Sequence, residues 1–162
     1  MGPSDRESDV MLDWLKQIWE GPVVATAEHP LFGPMELTRI RGEETWEAES
    51  VPVGNHTVAV YFSTSGSQLP SDAQIRFLQD TTRDVEAAFQ KAASVLAPAY
   101  EEIHGPLTTS LREKFQLSGI EVPLDGNPAR PWMLQFETVS GRYALFTVYF
   151  QDGVAVDVQH DS

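Results

Sequence analysis

The stretch that decides the fold of this chain is residues 132–158, WMLQFETVSGRYALFTVYFQDGVAVDV. Two turn pairs, Ser140-Gly141 and Asp152-Gly153, divide it into three segments of strand length. Apolar and aromatic side chains alternate along these segments with the period of two that is typical of β-strands. The stretch therefore predicts an antiparallel β-meander. In its middle strand Phe146 and Phe150 share one face, and Tyr143 and Tyr149 share the other. We expect these aromatic side chains to lie in the core, and the alternative is an exposed patch of Tyr and Trp that binds a partner.

The same period of two extends over residues 23–63. Turn signals at residues 29–34, 41–43 and 52–55 separate the strand candidates, of which residues 56–62, HTVAVYF, are the most regular. Together with the meander, these segments predict a sheet of six to seven strands. Because most connections are short hairpins, we expect the sheet to be mostly antiparallel.

Three segments have the spacing of amphipathic helices. Residues 8–20 predict a short N-terminal helix, residues 71–104 a long helix, and residues 107–117 another short one. Ser71 and Gln74 have the spacing of a capping box at the start of the long helix, and Pro98 predicts a kink in it. Helices that occur in blocks between runs of strands indicate the α+β class. We expect a single domain over residues 1–162, with the long helix across one face of the sheet and residues 1–7 disordered.

The composition is strongly acidic, with 24 Asp and Glu against 11 Lys and Arg and a formal net charge of −13. An acidic protein is a poor ligand for nucleic acids and anionic membranes, so we expect neither as a partner, and a basic protein instead. The chain contains no Cys, which excludes disulfides, zinc–thiolate sites and thiol catalysis. It has neither a long apolar run nor the pattern of a signal peptide, and we expect a cytoplasmic location.

The clearest candidate site is an acidic run on and just before one strand, formed by Glu43, Glu44, Glu47 and Glu49. On a regular strand Glu47 and Glu49 point the same way, about 7 Å apart. One interpretation is a charged surface that binds a basic partner. The other is a solvated strand face, or a charged edge that deters strand addition.

Histidines and the C-terminal acids are weaker candidates for chemistry. Asp157, His160 and Asp161 are potential metal ligands, but they lie near the chain end, where we expect fraying. The remaining histidines have no Ser or Asp at the spacing of a catalytic triad; they are His29, His56 and His104. The sequence therefore predicts no catalytic residue, no metal site and no cofactor.

Three short stretches carry a resemblance to known proteins: residues 29–37, HPLFGPMEL; Trp46-Glu47; and residues 149–154, YFQDGV. Over residues 29–158 the chain resembles small bacterial α+β proteins of uncharacterised families, some of which are assigned as immunity proteins of interbacterial toxin systems. The resemblance implies no catalytic residue. It implies a toxin as partner, held through an acidic surface.

Three hypotheses for function follow. The first is a cytoplasmic immunity or antitoxin-like inhibitor that occludes a basic protein through the acidic run at residues 43–49. The second is a small enzyme or ligand-binding domain with a pocket between the long helix and the sheet, where Glu101, Glu102 and His104 supply the polar groups. The third is an accessory subunit that docks through its N-terminal helix, which carries Trp14 and Trp19.

Overall fold

The structure is a computed structural model that describes residues 23–40 and 43–161. The strands are β1 (Val23–His29), β2 (Gly33–Ile40), β3 (Glu43–Val53), β4 (His56–Ser63), β5 (Phe115–Val122), β6 (Trp132–Thr138), β7 (Leu145–Gln151) and β8 (Val154–Asp161). The helices are α1 (Asp72–Arg83), α2 (Val85–His104) and α3 (Leu111–Lys114). The predictions of disorder over residues 1–7 and of a helix over residues 8–20 lie outside the described residues.

All eight described strands belong to one sheet, in which their spatial order is the same as their chain order. Neighbouring strands are antiparallel except β4 and β5, which are parallel because the chain crosses between them through the three helices. The α+β class and the mostly antiparallel sheet are confirmed. The predicted number of strands, six to seven, is wrong. At the meander, Asp152 and Gly153 both have positive φ, 54° and 77°, as a type I′ hairpin turn requires.

The unpredicted strand is β5, whose first residues lie in the segment predicted as a short helix. The helix predicted over residues 107–117 is a single turn, α3, and β5 follows it directly. Its buried apolar residues alternate only in two short pieces, Phe115 with Leu117 and Ile120 with Val122. A bulge between Leu117 and Gly119 shifts the register by one residue. That shift conceals the period of two in the sequence.

The long helix predicted over residues 71–104 is two helices. The capping box of Ser71 and Gln74 is confirmed, but it begins the shorter helix, α1. The chain leaves helical geometry at Asp84 (φ −127°, ψ 77°), whose carboxylate accepts the Ala87 N–H and so caps α2. By contrast, α2 continues through Pro98. Pro98 has no N–H to donate to the carbonyl four positions earlier, but Pro98 is exposed, so water can donate to that carbonyl instead.

The helices pack on one face of the sheet and form the core there. Phe89 of α2 lies 4.9 Å from Phe136 between ring centroids, and Phe115 lies 5.1 Å from Phe146. The core prediction for the meander is confirmed for Phe146 and Phe150, which are fully buried. It is wrong for Tyr143, which is 56% exposed, and Tyr149 is only half-buried. Because strand side chains alternate, every second residue of the same strands lies on the opposite face of the sheet. We call that opposite side the polar face.

Candidate binding site on the polar face of the sheet

The register of the sheet assembles a row of four acids, two tyrosines and one methionine across the polar face. Each member pairs directly with the next on the neighbouring strand, from β2 to β8. The row consists of Glu36, Glu47, Tyr61, Glu121, Met133, Tyr149 and Asp157. Six strand spacings of about 4.8 Å give it a length of about 29 Å. A row of this length matches the width of a protein–protein contact better than that of a small-molecule pocket.

Further acids lie on the polar face by alternation along the same strands. An even number of positions along a strand keeps a side chain on the same face. Glu43 is two positions from Thr45 and four from Glu47 on β3, and Asp161 is four positions from Asp157 on β8. Glu137 lies on β6 and pairs with Leu145, which in turn pairs with Asp161. Among the described residues, no Lys or Arg lies at these positions of the face. The described bases are elsewhere: Arg39, Arg76, Arg83, Lys91, Arg112, Lys114, Arg130 and Arg142.

The acids of the polar face are close enough to perturb one another. Burial, and next the charge of Glu43, raises the pKa of Glu121 above its ordinary value. Burial raises the pKa of Tyr149, and the charges of Glu121, Asp157 and Asp161 raise it further. These shifts indicate a connected region of negative potential on the polar face.

The predicted acidic run is divided between two sides of the sheet. Glu43 and Glu47 lie on the polar face, where Glu43 is exposed and Glu47 is buried. Glu44 points to the helix side, and its Oε1 accepts from Nε and Nη2 of Arg39 at 3.1 and 2.5 Å. No Lys or Arg lies between Glu43 and Glu49 in the sequence. The base comes from the neighbouring strand, nearby in space although five positions away in sequence.

Glu49 follows Ala48 at a bulge of β3, where the register with β4 shifts between Ala48 and Val51. Glu49 is exposed and, with Glu36 and Glu47, lines a cavity of about 240 Å³. The structure therefore places Glu47 and Glu49 at one cavity, together with an acid from β2 that the run did not include.

The polar groups of the alternative hypothesis lie at the C-terminal end of α2. Glu101, Glu102 and His104 are all exposed, and the Glu101 carboxylate accepts the N–H of Leu107 at 3.2 Å. The His104 ring stacks on Tyr100 at 4.7 Å between centroids. These residues line none of the cavities described here.

A cavity between helices and sheet does exist, near the break between α1 and α2. It has a volume of about 240 Å³, and its apolar floor comprises Phe77, Trp132 and Leu134. Lys91 and Asp80 lie at its rim. The polar groups available to a ligand there are thus different from those that the sequence suggested.

A third cavity lies where β3 begins and β4 ends, and we call it the strand-end cavity. Its volume is about 410 Å³. Carboxylates and hydroxyls dominate its lining, which includes Glu43, Glu44, Thr45, Ser63, Thr64 and Arg130. This cavity opens beside the acids of the polar face.

The remaining candidates for chemistry have structural surroundings. His29 Nδ1 accepts the Leu31 N–H, His56 Nε2 donates to the Leu117 carbonyl, and the His160 ring stacks on Phe146. Asp157 and Asp161 belong to β8, so the expectation of a frayed end is wrong. In the described part of the chain, no three His, Asp or Glu side chains are arranged to hold a metal ion.

No known protein family, curated protein or solved structure matches this chain. Within residues 23–40 and 43–161, no helix has both the length and the apolar character that crossing a membrane requires.

Proposed function

We propose that this protein binds a basic protein partner through the polar face of its sheet and inhibits it by occlusion, in the manner of a cytoplasmic immunity protein or antitoxin. The observation that carries the proposal is the row from Glu36 to Asp157, together with the absence of Lys and Arg from the same face in the described residues. The contact acids that we propose are all exposed to solvent. They are Glu36, Glu43, Glu49, Asp157 and Asp161.

The arrangement of the acids has an energetic cost, which supports a role outside folding. Burial, and next the charge of Glu43, disfavours the charged form of Glu121, as the raised pKa of its carboxyl shows. Natural proteins commonly give up stability at sites that bind.

The physical consequence of such a face is fast, oriented association. A surface of a single charge sign attracts an oppositely charged partner over a Debye length of about 8–10 Å at physiological salt, and it disfavours acidic proteins. Met133 and Tyr149, the fifth and sixth of the seven members of the row, offer apolar and aromatic contact of the kind that interfaces use. In this proposal, charge controls the rate of association and the orientation of the partner, and the covered area blocks the partner's own site.

The test is affinity capture from the native cell lysate with three matched proteins. The polar-face variant is Glu36→Gln, Asp157→Asn and Asp161→Asn. The control variant, Glu101→Gln, Glu102→Gln and Glu113→Gln, removes the same charge from exposed helix positions. We expect the wild type and the control to retain one stoichiometric basic protein whose binding salt weakens, and the polar-face variant to retain much less of it. Equal retention by all three proteins would contradict the proposal.

The cavity between α1, α2 and the sheet favours a second candidate function, the binding of a small ligand with an apolar body. Its floor of Phe77, Trp132 and Leu134 suits an aromatic or branched group, and Lys91 at the rim suits an anionic substituent. Thermal-shift screening tests it: a ligand whose stabilisation is lost in Lys91→Met but kept in Arg76→Met would support a site there.

A further inference from the structure

The strand-end cavity is lined by oxygen acceptors that the described residues leave available. Thr45 and Ser63 are direct cross-strand partners on β3 and β4, so their Cβ atoms lie about 4.5–5.5 Å apart. Glu43 is on the same side of β3, about 7 Å along the strand from Thr45. Neither hydroxyl, nor the Glu43 carboxylate, has a hydrogen-bond partner among the described residues. One donor group can therefore reach a carboxylate and two hydroxyls.

An additional carboxylate adds negative charge to the wall of this cavity. The Oε1 atom of Glu44 is engaged by Arg39, but its Oε2 atom is buried and has no partner in the part of the chain that the structure describes. A buried carboxylate oxygen without a donor is costly, and a nearby cation reduces that cost. Gly66 faces this oxygen: a Cβ at Gly66 would lie 3.9 Å from Oε2.

The geometry favours one kind of cation. An ammonium group has three diverging donors, which suit oxygens that come from three separate side chains. A guanidinium group is a planar fork that prefers both oxygens of one carboxylate, and acceptors spread over three separate side chains suit that fork less well. The volume of about 410 Å³ accommodates an alkyl chain together with the charged head.

We propose that the strand-end cavity binds a primary ammonium group, presented either by a lysine side chain or by a free alkylamine. Glu43 supplies the charge, and Thr45 and Ser63 supply the two remaining acceptors. The field of Glu44 adds to the attraction, and the charges of Arg39 and of Arg130, which lines the cavity, oppose it. Glu43 also belongs to the proposed contact acids, but the two proposals are tested separately, because small probes test this one and the polar-face variant leaves every residue of this cavity unchanged.

The experiment is a ¹H–¹⁵N NMR titration of the full chain at constant ionic strength. The probes are Nα-acetyl-lysine methylamide, n-butylamine and Nα-acetyl-arginine methylamide. We expect the lysine analogue to cause saturable shifts at the amides of Thr45, Ser63 and Thr64, and the arginine analogue to bind at least about fivefold more weakly. Equal binding of butylamine assigns the site to free amines in general, and weaker binding assigns it to the lysine side chain in its peptide context.

Neutral variants separate the site from general attraction to an acidic protein. Thr45→Val and Ser63→Ala change no charge, and each should weaken the lysine analogue about threefold to tenfold. Thr57→Val, at an exposed position of β4 remote from the cavity, is the matched control and should bind as the wild type does. Arg39→Gln should tighten binding of the lysine analogue, because it removes a positive charge that opposes the ammonium group. Shifts that spread evenly over the acidic residues, or wild-type binding by both hydroxyl variants, would overturn the inference.

Discussion

Gln74 connects α1 to the two segments that form the wall of the strand-end cavity, and its truncation should be unusually destabilising for a surface helix. Its Oε1 accepts the Ser71 N–H at 3.0 Å, and its Nε2 donates to the carbonyls of Ser63 at 2.6 Å and Pro123 at 3.2 Å. Gln74 is only 2% exposed, so water does not readily replace these bonds. Gln74→Ala removes all three at once.

The expected cost follows from the three bonds. Loss of the capping contribution at Ser71, which is exposed, costs about 0.5 kcal/mol. Each carbonyl left without a donor in a buried or partly buried position costs about 1–2 kcal/mol. We therefore expect Gln74→Ala to lower the free energy of unfolding by about 3 kcal/mol. For a chain of this size that corresponds to about 6–12 °C in Tm.

Urea unfolding followed by far-ultraviolet circular dichroism measures this cost. Gln79→Ala, at an exposed position of the same helix, is the control and should change the free energy of unfolding by less than about 0.5 kcal/mol. Gln74→Glu keeps the acceptor for Ser71 but turns an anion toward two carbonyl oxygens, so it should destabilise more than Gln74→Ala at neutral pH and less on acidification. If Gln74→Ala were as stable as Gln79→Ala, the account of this junction would be refuted.

Two further predictions concern stability. The raised pKa of Glu121 means that its ionised form costs free energy in the folded state, so Glu121→Gln should be more stable than the wild type at neutral pH. Denaturant unfolding measures this difference in the free energy of unfolding. The difference should shrink as the pH falls through the raised pKa toward the ordinary value of 4.5. Gly126 and Gly141 both have positive φ, 65° and 74°, but only at Gly126 would a Cβ meet backbone, the Ala73 carbonyl oxygen at 2.5 Å. Gly141→Ala should cost about 1–2 kcal/mol and Gly126→Ala a further 1–3 kcal/mol, and equal losses in thermal unfolding would contradict the close approach.

Local signals in the sequence were sufficient for much of the fold. The Ser71 capping box, the Asp152-Gly153 turn and the alternation of the meander each depend on a few neighbouring residues, and each is as predicted. The failures have equally local causes. The bulge at Gly119 conceals β5, and the capping carboxylate of Asp84 begins a new helix inside a continuous apolar stripe.

The candidate site was harder to predict because it depends on register. Glu36, Glu121 and Asp157 are far apart in sequence, and only the pairing of successive strands brings them into one row. Glu121 lies outside every segment that the sequence predicts as a strand, because the bulge of β5 conceals the period of two there. The acidic run predicted from sequence contributes Glu43 and Glu47 to the polar face, whereas Glu44 turns to Arg39 on the other side.

The most direct test of the central claim is the rate at which the captured partner associates with this protein. Stopped-flow fluorescence over ionic strengths from about 0.05 to 0.5 M compares the wild type, the polar-face variant and the helix-side control. We expect association of the wild type and the control to slow steeply with salt. The polar-face variant should associate about tenfold more slowly at low salt, with a shallower salt dependence and similar dissociation. Identical association rates for all three proteins would contradict the claim that the polar face binds the partner.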